Sequence, residues 1–286
     1  MKSKFLNDNR TKAKEIISKL NEVFDYASVL GTDVSDTVLR VFKSSTDSNE
    51  SYSNEKGFVF KMSNGESFYE YAIDNLDEDV DTIFNKIMES TLISINLKQK
   101  EIKSSKVEDE LLVMSFDRPN DLEFYPITKR LEILTDIKNQ LLSKSDKILN
   151  GGVVLTILDV NKLFISNNKE LDQHYTWCNG VLIIMYSDNE KLVSAREVSF
   201  SHLLKDVFEE MPTKFEKLVD KAAHLTKATQ IKPGVYDIIT DASISGLIAH
   251  EAFGHGVEMD QFVKDRALAK KYVGEYVASP ITNMRD

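Results

Sequence analysis

The chain has few of the features that mark secreted, membrane-spanning or nucleic-acid-binding proteins. Its one cysteine, Cys178, cannot form an internal disulfide, so nothing in its folding requires an oxidising compartment. No run approaches the roughly 18 apolar residues of a transmembrane helix, and the N-terminus lacks the apolar segment of a signal peptide. We therefore expect a cytoplasmic protein with no membrane partner.

Acidic residues outnumber basic ones by 46 to 36, and helix-breaking residues are scarce. A net charge of −10 argues against nucleic acid or an anionic membrane as the main partner, since both need basic patches. Only five prolines and eleven glycines occur in 286 residues, which leaves no room for a long linker rich in proline and glycine. The balance of 42% hydrophobic and 29% charged residues is typical of a globular protein with two modest or three small domains.

Residues 1–105 predict an N-terminal α+β domain. Apolar side chains recur at helical spacing, and SerAsnGlyGlu separates two β-rich runs as in a hairpin. Acidic residues at 77–81 supply candidate caps for the second helix. The predicted elements are helices over 9–30 and 79–97, a strand over 38–42, a loop over 44–54, and hairpin strands over 57–62 and 67–73.

Residues 106–230 predict a middle domain built on an antiparallel meander with helices. Short β-rich runs are separated by turn residues such as AsnAsn and SerAspAsnGlu. Pro212 is expected in the first turn of the second part of a helical region. The predicted elements are strands over 111–116, 153–159, 162–166, 174–186 and 191–199, and helices over 128–148 and 203–228.

Residues 231–286 predict the start of a C-terminal domain, so that the whole chain belongs to the α+β class. A strand is expected over 235–240, followed by a helix capped at 241–243. This helix carries His250, Glu251 and His255. Neutral imidazoles bind Zn²⁺ without cancelling its Lewis acidity, the metal makes water acidic, and an adjacent carboxylate can take the water proton. The pattern predicts a zinc site with His250 and His255 as ligands and Glu251 as the catalytic base.

The spacing of the two histidines imposes a condition on the backbone. Residues i and i+5 lie about 140° apart on an ideal α-helix, so their rings would point away from each other. Gly254 and Gly256 flank His255 and ease a local distortion of the helix. We therefore predict a non-ideal helix between His250 and Gly256.

Residues 246–260, GLIAHEAFGHGVEMD, resemble the signature of the TldD/PmbA family of zinc metallopeptidases. Residues 267–280 also resemble the stretch that follows this signature in the family. The resemblance implies a metalloprotease that acts on peptides or unfolded protein segments. It implies Zn²⁺ bound by His250 and His255 with Glu251 as base, and a dimer of identical subunits or of an active and a related inactive subunit. Because the motif is intact, this chain resembles the active type.

The same resemblance concerns the third zinc ligand, which in the family is a cysteine far downstream. The chain ends at Asp286, so we expect that it is the N-terminal portion of a longer protein and that the third ligand lies beyond it. Cys178 lies too far upstream to match and is expected to be buried. Glu258, three residues after His255, either binds the metal or orients a histidine through its other ring nitrogen, and the signature favours the second role. Asp260 is a further candidate for the same task.

Two alternatives remain open at this stage. The chain could be a catalytically incomplete fragment or a non-catalytic subunit that acts through dimer contacts. The zinc could also be structural, which predicts a fourth protein ligand. The remaining histidines, His174, His202 and His224, are expected to be structural or exposed. Tyr175 and Trp177 are expected to pack on a strand face rather than to form a stacking platform.

Overall fold

The computed structural model describes residues 3–50, 55–65, 67–95, 110–188, 191–263 and 265–284. The chain divides into two compact units, residues 1–99 with 105–229 and residues 100–104 with 230–286. Helices and a large sheet together confirm the predicted α+β class. No helix in the described ranges is long and apolar enough to cross a membrane.

The first unit is built on one eight-stranded sheet. Its path is β4-β3-β1-β6-β7-β5, with β2 paired to β1 and β8 paired to β7. All pairings are antiparallel except that of β5 with β7, which is parallel. The strands are β1 Tyr26–Phe42, β2 Thr46–Glu50, β3 Glu55–Ser63, β4 Phe68–Ile73, β5 Leu112–Asp117, β6 Ile148–Ser166, β7 Lys169–Asp188 and β8 Lys191–Ser201.

Five helices of this unit cover one face of the sheet. They are α1 Lys4–Asn21, α2 Val80–Ile95, α3 Ile127–Leu142, α4 Leu204–Thr213 and α5 Phe215–Lys227. Val29 and Ile165 pair across β1 and β6 in the cluster under α1 and α2, and Leu39 and Leu155 pair in the cluster under α3, α4 and α5. Because side chains alternate along a strand, residues 29 and 39 of one unbroken strand lie on the same face.

The sheet crosses the boundary that we predicted near residue 105. β1 and β6 pair continuously from Ser28 with Ser166 to Phe42 with Gly152. Residues 1–99 and 105–229 therefore share one sheet rather than forming separate lobes. The local hydrophobic pattern cannot reveal a pairing between strands more than 100 residues apart in sequence, which is why the prediction placed a boundary there.

Several predicted elements have different bounds in the structure. The first helix ends at Asn21, and the apolar pattern from Tyr26 onward belongs to β1 because it pairs on both edges. The segment predicted as a loop over 44–54 contains β2 within its described part, while residues 51–54 lie outside the described residues. The runs over 153–159 and 162–166 form the single strand β6, and Ile148 begins that strand instead of ending α3.

Other predicted elements are confirmed. The hairpin of β3 and β4 turns at SerAsnGly with Gly65 at φ +84°, a conformation that favours glycine. The meander of β6, β7 and β8 is antiparallel as expected. Pro212, however, lies in the last turn of α4 rather than in the first turn of α5.

The second unit contains α6 Ala242–Ala252, α7 Met259–Val263 and two 3₁₀ turns, Gly254–Val257 and Leu268–Tyr272. The predicted strand over 235–240 is wrong, because these residues have no regular secondary structure and pair with no strand among the described residues of the unit. The side chains of Val235 and Ile239 are fully exposed. A β-rich sequence forms a strand only where a second strand satisfies its backbone hydrogen bonds.

Candidate metal centre

The helix that carries the motif begins at a specific cap. The side chain of Asp241 accepts a hydrogen bond from the backbone N–H of Ile244 at 2.8 Å, as the sequence predicted. The hydroxyls of Thr240 and Ser245 lie 2.7 Å apart across the same turn. The cap fixes the start of α6, so His250 and Glu251 fall in its last turn.

The predicted distortion of the helix is confirmed and lies between the two histidines. α6 ends at Ala252, and Phe253 leaves the helical region with φ −142° and ψ −25°. The backbone N–H of Gly256 then donates to the carbonyl of Phe253 at 2.9 Å, which closes the 3₁₀ turn Gly254–Val257. This turn contains His255 and brings it back towards the end of α6.

The break brings His250, Glu251 and His255 together. One potential ligand atom from each side chain lies within 4.8 Å of the other two. The two imidazole centroids are 4.5 Å apart at an interplanar angle of 65°. Nε2 of His255 lies 3.7 Å from Oε2 of Glu251. All three residues are exposed, so water and a ligand can reach them.

Glu258 holds the opposite edge of the His255 ring. Its Oε1 accepts a hydrogen bond from Nδ1 of His255 at 2.7 Å. This hydrogen bond, the negative charge of Glu258 and, more weakly, that of Glu251 raise the pKa of His255 above its ordinary value of 6.5. With Nδ1 engaged by Glu258, Nε2 is the nitrogen that His255 presents towards Glu251.

The other candidate residues occupy different places. Asp260 accepts a hydrogen bond from the side chain of Gln261 at 2.9 Å and is not part of the three-residue donor group. Neither Gly254 nor Gly256 has a positive φ, so the backbone leaves the helix at Phe253 rather than at a glycine. A Cβ added at Gly254 would lie 3.4 Å from Nδ1 of His250, which is an ordinary van der Waals contact.

The donor set fits a zinc ion. Zinc takes imidazole nitrogen and carboxylate oxygen at about 2.0–2.2 Å, so two of its ligand atoms lie within about 4 Å of each other. The donor atoms of the three side chains lie within 4.8 Å of one another, slightly farther apart than zinc ligands. Because these side chains are exposed, rotation about their χ angles can bring the donor atoms closer together. The two imidazoles match the preference of zinc for nitrogen ligands, and the carboxylate of Glu251 lies beside them.

Cys178 has the surroundings of a core residue. It is completely buried in β7, and burial, with a smaller contribution from Asp121, raises the pKa of its thiol to about 12. A thiol binds zinc as the thiolate, which this environment disfavours. Trp177 packs against Phe200 at 4.8 Å and against His202 at 4.0 Å between ring centroids. Both observations agree with the structural roles expected from the sequence.

The sequence did not reveal the surroundings of His174. This side chain is 2% exposed and lies between two carboxylates, with Nδ1 at 2.8 Å from Oδ1 of Asp117 and Nε2 at 2.8 Å from Oδ1 of Asp159. The carboxylates contact opposite edges of the ring, so the three residues cannot surround one metal ion. Its partners lie 57 and 15 residues away in sequence, so ligand spacing gave no sign of the contacts.

Comparison with known proteins gives relatives that are longer than this chain. No protein-family model matches. The chain is 37% identical over 177 residues to a metalloprotease of Methanothermobacter thermautotrophicus and 28% identical over 161 residues to a metalloprotease of Archaeoglobus fulgidus. The matches cover 60% and 52% of this chain but 37% and 36% of those proteins. The chain thus spans little more than a third of these curated relatives.

Solved structures share the fold. A candidate modulator of DNA gyrase from Bacteroides thetaiotaomicron superposes with a TM-score of 0.72 at 14% identity, covering 95% of this chain and 62% of that one. TldE from Thermococcus kodakarensis superposes with a TM-score of 0.59 at 10% identity, covering 91% and 58%. Identities this low show a common fold and leave the activity to be argued from the site.

Proposed function

We propose that the protein containing this chain is a zinc-dependent metalloprotease that hydrolyses peptide bonds in peptides or unfolded protein segments. The main support is the clustering of His250, Glu251 and His255, whose donor atoms lie within 4.8 Å of one another. A regular helix would hold the two histidines apart. The two archaeal relatives, both named metalloprotease, support the same class of activity. The signature-like residues 246–260 support the active type.

Each residue of the cluster has a distinct role in this proposal. His250 and His255 hold the zinc ion, and His255 does so through Nε2. When bound, zinc supplies Lewis acidity that polarises the substrate carbonyl and lowers the pKa of water. Glu251 takes a proton from the attacking water and returns it to the leaving amine. Its carboxylate is suited to this task because it lies beside Nε2 of His255.

We propose that the third protein ligand lies outside residues 1–286. A catalytic zinc site uses three protein ligands and keeps one position open. Cys178 is a buried thiol with a raised pKa, and the archaeal relatives extend well beyond the matched segments. In this proposal the present chain supplies the two histidines and the base, and further residues of the protein complete the centre.

The proposed partners follow from the family resemblance. They are a peptide or unfolded-protein substrate, together with a second subunit that is identical or related. The net charge of −10 supports the absence of a nucleic-acid partner. Light scattering of the purified protein, alone and mixed with a related subunit, distinguishes the homodimer from the heterodimer.

A second candidate is a non-catalytic subunit that acts through dimer contacts. The exposure of all three donor side chains favours it, because a working zinc centre is normally enclosed by its supporting residues. In that case even the complete protein would hold zinc weakly, and simple dialysis of it would remove the metal.

Zinc binding by variants of the chain tests the site. We expect the wild-type chain to bind one zinc ion, and His250→Ala and His255→Ala to lose it. His224→Ala is a matched control, because His224 is also exposed and its Nδ1 lies 2.7 Å from the backbone carbonyl of Asp220 in the first unit. Equal zinc binding by all four proteins, measured by equilibrium dialysis and metal analysis, would contradict the proposed ligands.

A further inference from the structure

We infer that Glu258 is a positioning residue that fixes the ring of His255 and leaves Nε2 of that ring for the metal. This inference rests on the proposed zinc site, and it assigns to Glu258 the orientation of the His255 ring. It depends on the geometry of three groups, which are the His255 ring, the carboxylate of Glu258 and the start of α7.

The first step concerns the tautomer of His255. A neutral imidazole carries one N–H, and its other nitrogen has a free lone pair. The 2.7 Å contact between Nδ1 of His255 and Oε1 of Glu258 is a hydrogen bond only if Nδ1 is the donor, since a carboxylate can only accept. The proton of the neutral ring is therefore held on Nδ1, and the lone pair on Nε2 is available to a metal.

The second step concerns the attachment of Glu258 itself. Its backbone ends the 3₁₀ turn of His255 with φ −56° and ψ 124°. Its carbonyl accepts hydrogen bonds from the N–H groups of Gln261 at 3.1 Å and Phe262 at 3.0 Å, which begin α7. Glu258 is thus tied to α7 through its backbone while its side chain holds His255, so the ring orientation is linked to a helix.

The third step separates positioning from ligation. Nδ1 and Nε2 lie on different edges of the imidazole ring, and Glu258 contacts the Nδ1 edge. Glu251 lies 3.7 Å from Nε2, on the side where the donor atoms converge. A carboxylate that holds Nδ1 in this way does not reach a metal bound at Nε2. Hydrogen bonds to the second nitrogen of a ligating histidine are a common way to fix its orientation and raise its basicity.

The test uses the 286-residue chain with two measurements. Zinc affinity is measured by competition with a chromophoric chelator in wild type, Glu258→Ala, Glu258→Gln and the control Asp260→Asn. The His255 tautomer is measured in the metal-free chain from the ¹⁵N shifts of its ring, at a pH where the ring is neutral. Asp260 is a suitable control because it lies two residues away and is outside the donor group.

We expect Glu258→Ala to weaken zinc binding by about 10- to 100-fold and to abolish the preference for the Nδ1–H tautomer. Glu258→Gln keeps an oxygen acceptor of the same reach, so it should retain the tautomer and lose less affinity. Asp260→Asn should behave as wild type. Circular dichroism checks that the variants keep the helices, and Glu258→Gln provides the comparison if Glu258→Ala does not fold.

Two outcomes overturn the inference. One is an unchanged tautomer in both Glu258 variants. The other is a loss of zinc in Glu258→Gln as complete as in His255→Ala, which would make Glu258 a ligand. Failure of the proposed zinc site is distinguishable, because zinc binding by wild type would then equal that of His250→Ala and His255→Ala. The tautomer measurement needs no metal and tests Glu258 in either case.

Discussion

His255 and Glu251 meet with 3.7 Å between Nε2 and Oε2, even though α6 ends between them. Glu251 belongs to the last turn of this helix, and His255 belongs to the 3₁₀ turn that follows. The contact places a carboxylate beside the nitrogen that we assign to the metal. In the proposed mechanism the base and the ligands are different side chains, so substitutions can separate metal binding from proton transfer.

The break in the helix should matter for metal binding. Alanine favours a regular helix over glycine by about 1 kcal/mol, and a continuous helix turns the two histidines apart. We therefore expect Gly254→Ala to weaken zinc binding by about fivefold, which corresponds to that energy. The new Cβ would also lie 3.4 Å from Nδ1 of His250. Chelator competition measures the effect.

Gly246→Ala is the matched control for this substitution. Gly246 lies in the middle of α6, and a Cβ added there has no atom within 4 Å. It should increase helix content without changing zinc affinity. If both alanine variants bound zinc as wild type does, the break at Phe253 would not be needed for the site.

The contacts of His174 with Asp117 and Asp159 should stabilise the first unit. Both ring nitrogens of His174 lie 2.8 Å from carboxylate oxygens, Nδ1 from Oδ1 of Asp117 and Nε2 from Oδ1 of Asp159. His174→Leu removes the contacts with both Asp117 and Asp159. Losing a hydrogen bond to a charged group costs about 1.5–3 kcal/mol, and because both carboxylates are partly exposed we expect a total loss of about 2 kcal/mol.

Urea unfolding followed by the fluorescence of Trp177, the one tryptophan, measures this loss. His224→Leu is the control, since His224 is exposed and should change stability by no more than about 0.5 kcal/mol. Equal stability of the two variants would show that the contacts of His174 contribute nothing to the fold.

Much of the local structure could be predicted from the sequence, because it depends on neighbouring residues. Asp79 caps α2 through the N–H of Thr82 at 2.9 Å, and AsnGly turns the hairpin of β3 and β4. The long pairing of β1 with β6 could not be predicted, because it is decided by the contacts of distant strands. The strand expected over 235–240 failed for the same reason, since propensity supplies no pairing partner.

Acid should destabilise the first unit partly through Glu197. Burial raises the pKa of Glu197, but hydrogen bonds and charge from Lys217 and Lys221 outweigh it, so the pKa lies below its ordinary value of 4.5. A carboxyl group whose pKa is lower in the folded protein than in the unfolded chain stabilises the fold at pH values above its unfolded pKa. This stabilisation is lost as the pH falls through the pKa of the group in the folded protein. We expect wild type to lose more stability than Glu197→Gln between about pH 5 and pH 3.

Urea unfolding at several pH values measures this difference. Glu209→Gln is a control, because Glu209 is an exposed residue whose Lys205 partner lies at 3.8 Å. Parallel pH profiles for wild type and Glu197→Gln would contradict the role of the two lysines.

The candidate site was predictable to the extent that its residues are close in sequence. His250, Glu251, His255 and Glu258 fall within nine positions, so spacing alone indicated the cluster and the need for a distorted helix. The exact way in which the helix breaks was not predictable, because Phe253 rather than a glycine takes the non-helical conformation. The contacts of His174 were hidden because three different strands bring them together.

Glu251→Ala tests the central claim most directly when zinc content and peptide hydrolysis are measured on the same preparation of the complete protein. We predict that this variant keeps its zinc and loses hydrolysis by about 10²- to 10⁴-fold, whereas His255→Ala loses both. Hydrolysis at the wild-type rate by zinc-loaded Glu251→Ala would contradict the assignment of Glu251 as the base.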